Sequence, residues 1–318
     1  MDASKTQRPE SDTNNGYVVV VGSANMDLVV RVARLPAPGE TLMGEHFESI
    51  PGGKGANQAI AAARLGARVA MVACVGDDGF GTTLRSGLAA DGIAIDHVHQ
   101  IAKRASGIAV ITVAADGANS IVVTAGANGD LQPNHIDAAS DLIANAAMLI
   151  CQFETPLSSV SRAIEIAVAH GTPVLLNPAP AQPLPTGMHA GVAYLIVNET
   201  EAELLTEIPV ADVEGARSAA ARLRNMGSRT VLVTLGSKGV YWSGPEGEGK
   251  LAAPKVKAVD STAAGDTFAG GFAAALVRGA SIEDAVAFGQ SAAAISVTRH
   301  GAQSSIPTRA EVDSARLL

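Results

Sequence analysis

The sequence predicts an α/β fold: a doubly wound, mostly parallel sheet with helices on both faces and a small inserted β-sheet acting as a lid. Three observations predict it. Short apolar runs such as "YVVVVG" and "RVAMVACVG" show no polar alternation, as expected of strands buried on both faces. Longer stretches of helical periodicity separate such runs, so strand and helix alternate along most of the chain. Two segments, at about 27–50 and 106–125, break this rhythm; they carry strand-like pieces with the turn signals "APGE" and "ADGAN" and no helix.

Taken in order, residues 1–16 are polar throughout and lack the apolar centre of a secretory signal, so they read as a disordered tail. A single domain is expected from residue 17 to 318. It opens with the strand "YVVVVG" and the first lid segment, then the helix "NQAIAAARLGA", the strand "RVAMVACVG" and the helix "GTTLRSGLAADG". After the second lid segment come "AAMLICQ", a helix from about Ser158 to His170, "TPVLLNP", "AYLIVNE", a helix from about Val213 to Met226, and "RTVLVTLG". The stretch from Ala263 to about Arg299 reads as two helices separated by "RGASIED", with Gly279 as the stop of the first. The lid is expected to be an antiparallel sheet over the C-terminal ends of the parallel strands, where ligands of open α/β sheets bind.

Composition narrows the function. The 318 residues are 47% hydrophobic with a mean hydropathy of +0.22, enough for a large core. A net charge of -8 and no Lys/Arg cluster argue against a nucleic-acid surface. Backbone amides at a helix start can still hold a phosphate without net positive charge. No apolar run reaches the ~20 residues of a membrane span. Cys74 and Cys151 have no metal-ligand or CxxC spacing, which points to a reduced, cytoplasmic protein.

Several motifs stand at strand ends. "VVVVGSANMD" places Asn25 and Asp27 beyond a strand without the glycines of a dinucleotide site; these side chains suit a polyol, or an Asx turn equally well. "PGGKGANQ" puts Gly53, Lys54 and Asn57 at a helix start, but the spacing of a Walker loop is not met. Glu154 in "LICQFETP" could accept a substrate hydroxyl, although taken alone it is better read as favouring the N-terminus of the next helix. Asn198 and Glu201 in "IVNETEAELL" fit either Mg²⁺ held through waters or a capped first turn. "TLGSKG", Thr234 to Gly239, is a phosphate- or base-lining turn or a plain hairpin. In "DSTAAGDTFAGGF", Ala263, Ala264, Gly265 and Asp266 start a helix with amides expected to be unpaired; Asp266 is either its cap or a base beside an anion cradle. The interior pair Gly270 and Gly271 costs a helix roughly 1 kcal/mol each, so side chains must be unwelcome there.

Together these stretches resemble the ribokinase (PfkB-type) carbohydrate kinase family from Tyr17 to about Thr308. Both family signatures occur in order, "GGKGANQAIAAARLG" and "DSTAAGDTFAGGF", with "NPAPA", "NETEAE", "TLGSKG" and "VTRHGAQSSIP" at matching places. The resemblance implies ATP-dependent phosphorylation of a sugar, D-ribose at its 5-hydroxyl, with Asp266 as base and Ala263–Asp266 as anion hole. It implies sugar contacts from Asn25, Asp27, Gly53, Lys54, Asn57 and Glu154. ATP contacts are implied for Asn198, Thr234, Gly236, Ser237, Gly239, Gly265 and Gln290. Where the family has His or Asn near the adenine edge this chain has Gln290, which keeps a donor and an acceptor. Glu201 would order hydrated Mg²⁺, and Asp260, Thr262, Ser296, Arg299, Gly301 and Ser305 would form a K⁺ loop with backbone carbonyls. Homodimerisation through the lid is implied as well, with Leu28, Val30, Ile108 and Val110 as apolar residues seeking partners. The other readings are a kinase of deoxyribose, fructose or a nucleoside, a nicotinamide dehydrogenase, disfavoured by the missing glycine fingerprint, and a non-catalytic sugar-binding protein.

Overall fold

A computed structural model describes residues 16–185 and 187–315. Apart from Gly16, the predicted tail lies outside the described residues. Strand β1 (Tyr17–Val21) is buried from Val18 onward, and its valines alternate between two cores: Val18 and Val20 face one, Val19 and Val21 the other. This is why the run carries no polar residue.

Beside β1 on one side lie β4 (Arg68–Gly76) and β5 (Ala94–Ile101). On the other side follow β8 (Met148–Cys151), β9 (Val174–Leu176), β10 (Tyr194–Asn198) and β11 (Thr230–Thr234). All these pairings are parallel. An antiparallel ribbon, β12 (Val240–Gly244) and β13 (Gly247–Leu251), closes the nine-stranded sheet at its edge. The winding direction reverses between β1 and β8, and the crevice outside the strand ends at such a reversal is where ligands of these sheets sit.

One face is covered by α1 (Lys54–Arg64), α2 (Gly79–Ala90) and, in the C-terminal part, α8 (Ala264–Val277) and α9 (Ile282–Ser296). The other carries α3 (Pro133–Ala138), α4 (Ser140–Ala144), α5 (Leu157–His170), α6 (Glu199–Thr206) and α7 (Val213–Asn225), and α10 (Arg309–Ala315) follows at the end. Helix α2 starts two residues before the stretch predicted for it, because Asp78 caps it by accepting from the Gly81 amide at 2.7 Å.

Gly270 explains one of the two helix glycines. A Cβ there would lie 2.5 Å from Ala61 Cβ and 2.7 Å from both the Ala62 amide nitrogen and the Gln58 carbonyl oxygen. α1 and α8 therefore touch backbone to backbone, closer than any side chain allows.

The small sheet has strand order β3-β2-β6-β7, formed by β2 (Asn25–Val32), β3 (His46–Gly52), β6 (Gly107–Ala114) and β7 (Asn119–Thr124). It is mixed, whereas the sequence predicts an antiparallel sheet: β2 and β6 pair in parallel from Asn25↔Gly107 to Val32↔Ala114. Each lid segment is a hairpin, and both leave the main sheet in the same direction, so their first strands meet in parallel. Of the apolar lid residues named above, Leu28 and Ile108 pack against the main core. The exposed ones are Val110, Phe47 and the β7 run Ile121, Val122 and Val123.

Candidate active site at the sheet reversal

The chain leaves β1 through Gly22–Ala24, and Ser23 there is fully buried. Its hydroxyl donates to Glu154 Oε2 at 2.6 Å and accepts from the Gly55 amide at 3.2 Å. The same Glu154 oxygen accepts from the Lys54 amide at 3.0 Å. Glu154 thus serves the N-terminus of α1, not that of the next helix as the sequence suggests; α5 follows Pro156 with no side-chain cap. The loop after β8 lies beside the end of β1, where α1 begins, and this adjacency is invisible in sequence.

Asn25 is not in an Asx turn. Asn128, 1% exposed, accepts from the Ala24 amide at 2.9 Å and donates to the Ala24 carbonyl at 3.2 Å and to Asn25 Oδ1 at 2.7 Å. With its oxygen engaged there, Asn25 has only its amide nitrogen left as a free donor. Gly53, with φ of 90°, would bring a Cβ within 2.7 Å of the Asn25 amide nitrogen, so only glycine lets α1 start this close to the lid base.

Asp27, on β2, has its carboxylate against Gly52, where an added Cβ would lie 2.3 Å from Oδ2. Burial, the charges of Glu154 and Asp266, and to the contrary Lys54, leave its pKa pushed up to about 7. For Lys54, burial works against the charge, but Asp266, Glu154, Glu201 and Asp27 outweigh it and raise the pKa. Its ammonium makes no hydrogen bond or ion pair with the described residues and is free for an anion.

Helix α8 begins after Ala263, whose φ of 59° is left-handed and unusual for a residue with a Cβ. Asp266 is not the cap. Its Oδ2 accepts from Asn57 Nδ2 at 3.0 Å and its Oδ1 from Gln58 Nε2 at 2.9 Å, both from α1. The expected row of unpaired amides needs one correction: the Ala264 amide donates to the Ser261 carbonyl at 3.2 Å, in the tight turn that the left-handed Ala263 closes. Among the described residues the amides of Ala263, Gly265 and Asp266 have no such partner.

Lys54, Asn177, Asn198, Glu201, Thr234 and Ala263–Asp266 all line one cavity of about 220 Å³. Asn198 and Glu201 form a reciprocal capping box, the Glu201 amide donating to Asn198 Oδ1 at 2.8 Å and the Asn198 amide to Glu201 Oε2 at 2.9 Å. Glu201 is 8% exposed; burial raises its pKa against the opposing Asn198 bond and Lys54 charge. Its second oxygen carries no bond. Gly236, Ser237 and Gly239 do not line the cavity; they form the turn from β11 into the antiparallel β12. Gln290 is buried on α9, donating to the Leu251 carbonyl at 3.3 Å and leaving Oε1 without a partner.

Asp260 joins two loops. Its Oδ1 accepts from the Thr262 amide and hydroxyl at 2.9 and 2.6 Å, and its Oδ2 from the Gly301 amide at 2.9 Å. These bonds, against the effect of burial, hold its pKa below the usual value. The hydroxyls of Ser296 and Ser305 donate to carbonyls of their own turns, Ala293 and Ala302. Arg299 is paired with Glu311, so only its backbone could face a cation.

Sequence reasoning missed Ser23, Gln58, Asn128 and Asn177. For Gln58 a signal existed: the polar pair Asn57-Gln58 opens a helix whose neighbours are nearly all alanine. A second cavity of about 200 Å³, between Met148, Tyr194 and Leu276, lies at the opposite strand ends and holds none of the predicted residues.

The family described as pfkB family carbohydrate kinase matches residues 15–309. A ribokinase of Haemophilus influenzae is 46% identical, over 92% of this chain and 96% of its own. A deoxyribokinase of Salmonella typhi is 39% identical, over 92% of this chain and 95% of its own. The structure of Arabidopsis thaliana ribokinase complexed with ribose and ATP superposes with a TM-score of 0.89 at 34% identity, covering 94% of this chain and 98% of that one.

Proposed function

Since the chain belongs to the pfkB family of carbohydrate kinases, we propose that it transfers the γ-phosphoryl group of ATP to the 5-hydroxyl of D-ribose, giving ribose 5-phosphate and ADP. Full-length similarity to ribokinases supports this reading. The observation that carries it is the Asp266 carboxylate, held by Asn57 and Gln58 beside free amides at the start of α8.

Phosphoryl transfer asks a protein mainly for positioning and charge stabilisation. Asp27 accepts hydrogen bonds from vicinal sugar hydroxyls and Asn25 donates one; Gly53, Lys54, Asn57 and Glu154 complete the sugar side. Asp266 takes the proton of the attacking hydroxyl as the new O–P bond forms and the bond to the ADP oxygen breaks. The amides of Ala263, Gly265 and Asp266, with the Lys54 ammonium, receive the developing negative charge. Ala264 contributes through the turn that aims them. On the nucleotide side stand Asn198, Thr234, the turn Gly236, Ser237 and Gly239, and Gln290.

Among the described residues no cluster of three or more His, Cys, Asp or Glu could hold a metal ion. A single buried carboxylate with one free oxygen fits Mg²⁺ held through water and phosphate, and Glu201 would supply it. Bound Mg²⁺ would neutralise phosphate charge. Asp260 accepts two bonds at Oδ1 and one at Oδ2, leaving Oδ2 able to take one more contact, which fits a K⁺ held with carbonyls of Ser296, Arg299, Gly301 and Ser305. The purified protein with ATP, Mg²⁺ and K⁺ should form ADP when ribose is added, and should slow when tetramethylammonium replaces K⁺. No ADP with ribose defeats the reading; an unchanged rate in tetramethylammonium defeats the K⁺ assignment.

The second reading, a deoxyribose kinase, is favoured by the Salmonella relative. Asp27 separates the two, since a carboxylate left with an unpaired lone pair penalises a 2-deoxy sugar. Because the folded-state pKa of Asp27 is raised, its stabilising contribution is present below ~3.9 and is lost as pH rises through about 7 in the ligand-free protein. Ribose hydroxyls favour the ionised form, so the KM for ribose should fall as pH rises from about 6 to about 8. A flat KM over that range, or equal kcat/KM for ribose and deoxyribose, removes Asp27 from sugar recognition.

Strand β7 is exposed along its whole length, with Ile121, Val122 and Val123 all more than half exposed. Such an apolar edge calls for cover, and a homodimer through the two lids supplies it. Light scattering should give a mass near twice 32.1 kDa; a monomer at assay concentration would count against the lid pairing. No helix of the described residues is long and apolar enough to cross a membrane. Free, buried Cys74 and Cys151 suit the reducing cytoplasm.

A further inference from the structure

We infer that Gln58 is a positioning residue for the base Asp266, acting through an amide whose polarity is locked by a chain of buried hydrogen bonds. The inference rests on the reading of Asp266 as the base. The chain starts at the Ile196 carbonyl, which can only accept, so the Asn177 atom 3.0 Å from it is the nitrogen. Asn177 Oδ1 must then be the atom facing Gln58, and it accepts from Gln58 Nε2 at 3.1 Å. The second proton of that nitrogen goes to Asp266 Oδ1 at 2.9 Å. Gln58 Oε1 is left to accept from Gln152 Nε2 at 2.7 Å.

Every hydrogen of the Gln58 amide is therefore assigned, without appeal to any choice between its nitrogen and oxygen. Gln58 and Gln152 are fully buried, so no water competes for these bonds. Gln152 is itself confined: a Cβ on Gly22 would lie 2.1 Å from its Oε1. A side chain spent on two amides and a carboxylate cannot touch a sugar, which distinguishes it from its neighbour Asn57. What it does is fix one oxygen of Asp266 and leave the carboxylate a single orientation toward the cleft.

The test compares wild type with Gln58→Leu, which cannot donate, and with Gln58→Glu, which keeps the shape and sets a second carboxyl against Asp266. For Gln58→Leu, kcat should fall by about 10- to 100-fold, the effect of a lost bond to a charged group, with the KM values for ribose and ATP within about threefold. In both variants the acid limb of the kcat–pH profile should move to higher pH, farther in Gln58→Glu, where two carboxyls share a proton. A merely structural role would lower Tm and scale kcat equally at every pH; that result, or an unmoved profile, overturns the inference. If Gln58→Leu fails to fold, Gln58→Glu carries the test alone. If wild type forms no ADP with ribose, the proposed function falls and the inference is decided by NMR. The Gln58 side-chain amide protons should exchange slowly and shift in Asp266→Asn, and fast exchange or no shift ends it.

Discussion

Asp266→Asn is expected to lower kcat by about 100- to 10,000-fold while ribose and ATP still bind, the range for removing a general base. The fold should survive because the bonds around position 266 can be remade. Asparagine keeps an oxygen for Gln58 Nε2, which donates there at 2.9 Å. Its new NH₂ then faces Asn57 Nδ2, two donors in opposition, but Asn57 Oδ1 is buried without a partner and can turn in to accept. What is lost is the capacity to take a proton. Steady-state assays of ADP release, with calorimetry of each ligand, measure the two effects separately, and turnover near wild type would show that Asp266 is not the base.

The second large effect is expected at Gly270, one helical turn after Asp266 on α8. Gly270→Ala places a methyl within 2.7 Å of backbone atoms of α1, which cannot swing aside as a side-chain end can. Overpacking of this kind costs about 1–3 kcal/mol, a Tm drop of about 2–5 °C for a chain of this size. Activity should fall further than stability alone explains, since pushing α1 off α8 draws Asn57 and Gln58 away from Asp266. Gly87→Ala is the control. It lies within α2 with nothing within 4 Å of an added Cβ, so the gain in helix propensity should stabilise by up to about 1 kcal/mol. Equal Tm changes in the two variants, measured by circular dichroism, would contradict the backbone contact.

Much of the fold was legible because its strands are buried on both faces and announce themselves as unbroken apolar runs. Lys54, Asn198, Glu201, Thr234 and Ala263–Asp266, which share one cavity, were legible as motifs at the ends of those runs. What the sequence did not carry was direction. Glu154 precedes α5 in the chain but serves α1, because β8 lies beside β1 and nothing in either strand says so. Ala264 begins the helix as expected, yet its amide is taken by Ser261 through the left-handed Ala263, a conformation that alanine does not advertise. The two lid hairpins could be recognised singly; their parallel junction depends on both leaving the main sheet together. Gln58 and Asn177 act by contacts across 208 and 119 positions of chain, a distance over which local pattern is silent.

The parallel junction of the lid also has a mechanical consequence. Two hairpins hinged separately could fold down one after the other. Joined along eight registered pairs, from Asn25↔Gly107 to Val32↔Ala114, they form a plate, and displacement of either carries both. A fulcrum at its base would fall on the three bonds that Asn128 makes to Ala24 and Asn25. With strands of eight residues rising about 3.3 Å each, a tilt of about 10° at that fulcrum moves the far end by about 4–5 Å. A sugar held at Asn25 and Asp27, as proposed, would sit beside that fulcrum, and a small shift there would be magnified at the distal rim.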